Sequence, residues 1–392
     1  MSKIASKSRC RYILFFKMSF YNKLEQRYPI ELFAEYIRSN GVYIDCATFQ
    51  KVFETISSNK CYQKKLLKLF IDSPFLLELE ENASEEENEN MAELQEWVQE
   101  TYLSFLNVQF DPDLVDVITY IIPQMSASSP FCASNSLVRI KIREIPYKIS
   151  GNNTTGFRTW EAALYLLFFL YGENSPISAL KQKNPDRIPL DDGVKPIFSK
   201  PLRVLELGSG TGICGLALFK FPMGLKIEEV TLSDGSQDIV ENIIPRNYEL
   251  NKELQGDDKL PKNLSIKQIL WGKDDFLPKL KHSYDIIIGA DVTYDARVIP
   301  LLVESIDYYL NFEKNSMCLI SATIRNESTI KTFEDSFVSI ASESDTRFGF
   351  LKVEKISDTK TIDKDLLKTF QQKVWFRDMI APISVYKITR AL

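Results

Sequence analysis

The stretch "RVLELGSGTGICG" occupies residues 203–215, and its apolar run leads straight into glycines at alternate positions, Gly208, Gly210 and Gly212. An apolar strand, a glycine turn and then the apolar "ICGLALFK" predict a strand–turn–helix unit, the place in an α/β protein where backbone and ligand approach closely. Taken literally, Gly210-Thr-Gly212-Ile-Cys-Gly215 satisfies G-x-G-x-x-G, the dinucleotide fingerprint. The register is wrong for it. In that fingerprint the first glycine closes the strand and a pyrophosphate rests on the following helix N-terminus; here the strand ends at Gly208, two residues earlier, with Glu206 just before the turn.

A carboxylate aimed into such a crevice is a poor neighbour for a pyrophosphate and a good one for a cationic amino group. S-adenosylmethionine, with an ammonium, a sulfonium and no phosphate, suits that field better than a dinucleotide. The next strand ends "TLSD", which places Asp234 22 residues after Gly212. A carboxylate there, outside the carboxyl end of a strand, accepts ribose hydroxyls from either cofactor; an N-cap of the helix over "IVENII" is the alternative reading.

Outward from this unit the chain continues as apolar strands separated by helical stretches. The strands are "LRVLEL", "EEVTLSD", "LSIKQILW", "YDIIIGADV", "MCLISATI", "FLKVEKI" and "ISVYKIT". Continuous Val/Ile/Leu runs alternating with helices predict a parallel sheet covered on both faces. The last two strands lack βαβ spacing, so an antiparallel edge is expected. Upstream, "LVRIKIREIPYKI" alternates apolar and polar residues as a half-buried strand or hairpin does. Residues 21–124 read as helical, with apolar residues three and four apart in "LFAEYIRS", "FQKVFETI", "CYQKKLLKLFI" and "MAELQEWVQETYLSFL". Between these, the acidic "ELEENASEEENEN" over 78–90 reads as an uncapped surface loop. The expected organisation is a flexible tail over 1–18, a helical N-terminal domain over 19–125 and an α/β domain over 136–392.

Composition excludes several chemistries. The net charge of −5 gives no basic excess for nucleic acid. The single histidine, His282 in "KLKHSYD", rules out histidine triads and reads as a solvated loop residue. The six cysteines are scattered, without CxxC pairs, which fits a reduced intracellular compartment and no metal site. The longest apolar run, "ALYLLFFLY", is about half of what a membrane span needs, so a soluble protein is expected. The first 17 residues carry five basic and no acidic residues; this composition fits a transit peptide or a dispensable tail, with Met18 as an alternative start.

Together, "VLELGSGTG", "LSD", "ILW" and "DIIIGADVTY" resemble the seven-strand S-adenosylmethionine-dependent methyltransferases, in particular the small protein-lysine methyltransferases with an Asp-x-x-Tyr motif after the fourth strand. "TTGFRTWEAALYL" over 154–166 resembles the family's Trp-containing segment, and "SATIRNEST" over 321–329, with the helical extension, is most similar to the subgroup acting on translation elongation factor 2. The resemblance covers residues 136–392 with specific motifs. It implies that Gly208, Ser209 and Gly210 line the methionyl end of S-adenosylmethionine, with Glu206 near its amino group and Asp234 on its ribose. Trp271 would pack beside adenine, Ala290 would allow close approach to the fourth strand, and Trp160 would cover the pocket. Many relatives carry Asp just before the position of Trp271, where this chain has Leu270.

At the end of the fourth strand, Asp291 and Tyr294 are the candidate catalytic residues. A buried carboxylate needs a partner, and a substrate ammonium is a natural one. Arg325 and Asn326, after the fifth strand, either contact the protein substrate or fix a loop. The expected protein is thus a cytoplasmic, monomeric lysine methyltransferase acting on elongation factor 2, with no membrane and no direct nucleic-acid partner. The alternatives are another translation-associated protein as substrate, or a binding module without turnover.

Overall fold

A computed structural model describes residues 20–78, 83–123, 137–151, 154–172, 175–177, 201–252, 263–272, 276–313, 315–343 and 350–391. The expected tail over 1–18 lies outside them, as do Cys10 and Cys132. The chain forms two compact units, one from the N-terminus to Tyr120 plus Arg143–Tyr147, the other from Ile121–Ile142 and Lys148–Leu392.

The first unit is built on helices α1 (Ile30–Asn40), α2 (Cys46–Thr55), α3 (Lys60–Asp72) and α4 (Glu85–Ser104). Phe33, Phe49, Phe53, Leu66, Phe70 and Leu94 are among its buried core residues. Trp97 packs edge-on against Phe49 and Phe53, a structural role. Two expectations fail here. The acidic run is not a loop throughout, because α4 begins inside it at Glu85. Ser84 accepts from the Glu87 amide while Glu87 reaches back to the Ser84 amide, a complete capping box. Glu85, Glu86 and Glu87 then lie in the first turn, where the helix dipole favours negative charge. The helical reading also stops short of residue 124: Asp116–Pro123 is strand β1, as its β-branched "DVITYIIP" favours. It forms a two-stranded sheet with β2 (Leu137–Glu144), from the stretch expected to be a strand.

The second unit contains α5 (Glu161–Leu170), β3 (Leu202–Leu207), α6 (Ile213–Lys220), β4 (Ile227–Asp234), α7 (Ile244–Lys252), β5 (Asn263–Gln268), β6 (Ile286–Ala290), α8 (Ile299–Tyr309), β7 (Met317–Thr323), α9 (Glu327–Glu343), β8 (Phe350–Asp358), α10 (Lys364–Phe370) and β9 (Ile383–Ala391). Strands β3 to β9 are the seven anticipated from the sequence, and they form one sheet in the order β5-β4-β3-β6-β7-β9-β8. Pairing is parallel from β5 to β7, while β9 is antiparallel to both β7 and β8, so the antiparallel edge is real. Strand order reverses between β3 and β6. The crevice outside their carboxyl ends is where an open α/β sheet binds its ligand.

Burial follows the pattern that was read. Val204, Leu205 and Leu207 of β3 and Ile286, Ile287 and Ile288 of β6 are all fully buried, as two-sided coverage demands. His282 differs from expectation. Its ring nitrogen Nδ1 lies 3.2 Å from the Leu310 carbonyl and it stacks near Phe312, so it is a half-buried packing residue and burial holds its pKa below the ordinary 6.5.

Candidate active site

The carboxyl ends of β3, β4 and β6 open into a cleft of about 660 Å³, within the range that encloses a nucleoside-sized ligand. The ten candidate cofactor-binding and catalytic residues all line it, Trp160, Glu206, Gly208, Ser209, Gly210, Asp234, Trp271, Ala290, Asp291 and Tyr294, whereas Arg325 and Asn326 are not among its lining residues.

The glycine turn explains its own spacing. Gly208, Gly210 and Gly212 have φ of +64°, +52° and +80°, a conformation that costs side-chain-bearing residues roughly 1–2 kcal/mol. At Gly210 the close neighbour is the chain itself: an added Cβ would stand 3.2 Å from the Gly156 Cα in the "TTGFRTW" segment. The alternation thus serves a left-handed turn and backbone-on-backbone packing as well as any ligand.

Glu206 stands where strand β3 meets the N-terminal turn of α6. It is 2% exposed, and its Oε2 accepts from the Gly215 amide at 2.9 Å. Gly215 lies in the first turn of α6, so the chain's own carboxyl already takes a donor that a pyrophosphate would use. Burial pushes Glu206 up to about 8, with the nearby Asp234 charge adding to the rise and hydrogen bonds from Gly215 and Ser209 opposing it. Such a carboxyl favours an incoming cation over an anion.

Asp234 sits at the end of β4. Its Oδ2 accepts from the Gly210 amide at 3.0 Å and its Oδ1 from the Ser236 amide at 2.9 Å. Burial lifts its pKa above the ordinary carboxylate value while those amides pull the other way. The helical segment starts at Gln237, so Asp234 is not its N-cap; the carboxylate is braced against the glycine turn and borders the cleft. Ser209 ties the same turn to β4, its hydroxyl accepting from the Ser233 amide at 3.0 Å.

On the other side of the switch point, Asp291 follows β6 directly, 9% exposed and at φ +56°. Its amide donates to the Ser321 carbonyl on β7 at 2.8 Å. Arg325 donates to both carboxylate oxygens, Nη1 to Oδ1 at 3.1 Å and Nη2 to Oδ2 at 2.8 Å, and the Thr323 amide adds a contact at 3.3 Å. Tyr294 is 57% exposed at the rim. Trp160 starts α5, with its Nε1 donating to the Thr155 carbonyl at 3.0 Å and the guanidinium carbons of Arg158 and Arg325 4.5 and 5.1 Å from its ring. Trp271 is half-buried beside Gly208, and Leu270, 45% exposed, also borders the cleft.

Residues 142–339 match the family model described as lysine methyltransferase. The protein-lysine N-methyltransferase EFM3 of Saccharomyces cerevisiae is 31% identical over 376 residues, 95% of this chain and 98% of that protein. Its namesake from Chaetomium thermophilum is 34% identical over 186 residues, 47% of each chain. EEF1A lysine methyltransferase 3 of Xenopus tropicalis is 28% identical over 138 residues, 35% of this chain and 54% of that one. Together with this family match, the switch-point cleft is that of an S-adenosylmethionine-dependent methyltransferase. The chain belongs to the lysine methyltransferase family, and its substrate is a protein lysine. Among the described residues no helix is long and apolar enough to cross a membrane, and no group of side chains forms a metal site.

The sequence points to Glu206, Asp234 and Asp291 but not to Asp238, which also lines the cleft, and it leaves the role of Arg325 open. Arg158, Thr159 and Ser236, which also line the cleft, went unremarked. Arg158 lay within the quoted "TTGFRTW", and an arginine two residues from a pocket tryptophan was a signal available there.

Proposed function

We propose that this methyltransferase modifies a lysine of translation elongation factor 2, acting as a cytoplasmic monomer without direct nucleic-acid contact. The observation that carries the acceptor side of this reading is the buried strand-end carboxylate of Asp291, in the same cleft as Glu206 and Asp234. The choice of elongation factor 2 rests on the likeness of "SATIRNEST" and the helical extension to the subgroup acting on that protein. The end-to-end match with the yeast relative is consistent with it, since that match includes the helical region. In this reading the tail over 1–18 is dispensable, the domain over 19–125 docks the protein substrate, and 136–392 carries the chemistry.

Glu206 faces the cofactor's α-ammonium and Asp234 its ribose hydroxyls, while Gly208, Ser209 and Gly210 form the floor beneath the methionyl end. Trp271 flanks the adenine, Ala290 leaves room beside β6 and Trp160 forms the outer wall. Bound S-adenosylmethionine supplies the methyl group: the sulfur–carbon bond breaks with its electron pair going to sulfur, a nitrogen–carbon bond forms, and the lysine's proton leaves to water. Asp291 and Tyr294 orient the acceptor amine. Between a free aspartate and a free lysine, reference values near 4 and 10.4 put direct proton transfer about 9 kcal/mol uphill, so Asp291 is assigned an orienting role and not that of a base. Most of the rate then comes from alignment and proximity.

The test is incubation of the protein with radiolabelled S-adenosylmethionine and a lysate from cells lacking it, followed by mass spectrometry of the labelled band. Label on a lysine of elongation factor 2 supports the proposal. Label on another translation protein replaces the substrate, and binding without labelling turns the chain into a non-catalytic module.

A further inference from the structure

Arg325 lies just beyond β7, within "SATIRNEST", where the sequence left open whether it contacts substrate or fixes a loop. Its two-point contact with Asp291 fixes the plane of the carboxylate. The same Nη2 stands 3.9 Å from Oε1 of Glu161, at the start of α5, and the guanidinium lies 5.1 Å from the Trp160 ring. Arg325 therefore stands against two carboxylates, from β6 and α5, and against an aromatic wall. Its side chain is 42% exposed where that of Asp291 is 7%, so the cation forms the solvent-side face of the pair. The other charged or titratable groups around the cleft are Arg158 against the Trp160 ring, and Glu206, Asp234, Asp238 and Tyr294 among its lining residues.

A bare carboxylate beside an acceptor lysine creates a conflict. It attracts the side chain, but it also stabilises the ammonium, whose nitrogen has no lone pair to accept a methyl group. An opposite charge within 4–6 Å shifts a pKa by about 1–3 units, and Asp291 and Glu161 would act in the same direction. The Thr323 amide and Arg325 Nη1 occupy Oδ1, and Arg325 Nη2 occupies one position on Oδ2. A carboxylate oxygen accepts about two hydrogen bonds, so Oδ2 retains one position for the amine.

We propose that Arg325 is a positioning residue that cancels the charge of Asp291, so that the carboxylate directs the acceptor lysine by one hydrogen bond without holding it in its charged form. This inference rests on reading the Asp291 side of the cleft as the acceptor side. It assigns to Arg325 the discharge of a field that the motif aspartate would otherwise impose.

The test uses the full chain and the purified protein that takes the label in the assay above. Single-turnover methyl transfer, with enzyme and S-adenosylmethionine in excess, is followed from pH 6 to 10. In Arg325→Gln the rising limb is expected to move to higher pH by about one unit, with S-adenosylmethionine affinity retained. Arg325→Lys, which restores the charge, brings it most of the way back. A loss that is equal at every pH, or an unmoved limb in Arg325→Gln, overturns the proposal. Absence of lysine labelling by the unaltered chain would instead overturn the functional reading, so the two failures are distinct.

Discussion

The two sides of the cleft handle negative charge in opposite ways. On the β3–β4 side, Glu206 and Asp234 are satisfied by backbone amides and, among the described residues, make no ion pair. On the β6–β7 side, Asp291 is matched by a guanidinium from its own chain. The first arrangement leaves carboxyl groups that an approaching cation draws into their charged form. The second leaves geometry with little net charge, which suits a group that must arrive charged and react neutral. In the proposed reading, the difference separates the binding of a permanently positive methyl donor from the handling of an amine whose proton has to leave.

The largest effect expected on breaking this division is at Asp291. Asp291→Asn keeps a residue type that tolerates the left-handed φ of +56° but removes the charge. Methyl transfer should fall on the order of a hundredfold, the scale of a misplaced reacting group, while calorimetric affinity for S-adenosylmethionine stays unchanged. Transfer at the normal rate would remove Asp291 from the mechanism. A smaller effect, on the other side, comes from Asp234→Ala. Losing a charge-assisted hydrogen bond costs about 1.5–3 kcal/mol, so the affinity should weaken tenfold or more in the same titration, and an unchanged affinity would show that Asp234 only braces the turn.

The third effect is a pH dependence. Burial raises Glu206 from its ordinary 4.5 to about 8, so between those values the folded chain holds a proton that the unfolded chain has lost. Stability of the cofactor-free protein should therefore fall as pH rises through that window, by up to about 1.4 kcal/mol per unit. Glu206→Gln should flatten the curve obtained from urea denaturation across the window. An approaching ammonium lowers the same pKa, so cofactor binding near pH 7 should release a proton. Binding enthalpies measured in buffers of different ionisation enthalpy would detect that release, and Glu206→Gln should reduce it.

Much of this division could be read from the sequence, and the reasons are local. The strand-end carboxylates Glu206, Asp234 and Asp291 each close an apolar run, so a single stretch of chain places them at the same sheet edge. The sheet was legible because both faces are covered and its strands are continuous Val/Ile/Leu runs. The Asp291–Arg325 pair was not, because its members are 34 residues apart, just beyond the ends of neighbouring parallel strands, and only register brings them together. The beginning of α4 was hidden differently. A run of acidic residues resembles solvated loop, and it takes the Ser84…Glu87 spacing together with the buried Met91, Leu94 and Val98 to reveal a capped amphipathic helix. His282 was misread because the carbonyl near its ring comes from Leu310, far along the chain.

The central claim is that Glu206 has closed the α6 N-terminus to phosphate and opened the cleft to a cation. Parallel calorimetric titrations of the cofactor-free protein with S-adenosylmethionine and with NAD test it most directly. The account predicts saturable binding of S-adenosylmethionine, competed by S-adenosylhomocysteine, and no heat from NAD. Saturable binding of NAD with none of the sulfonium compound would contradict it.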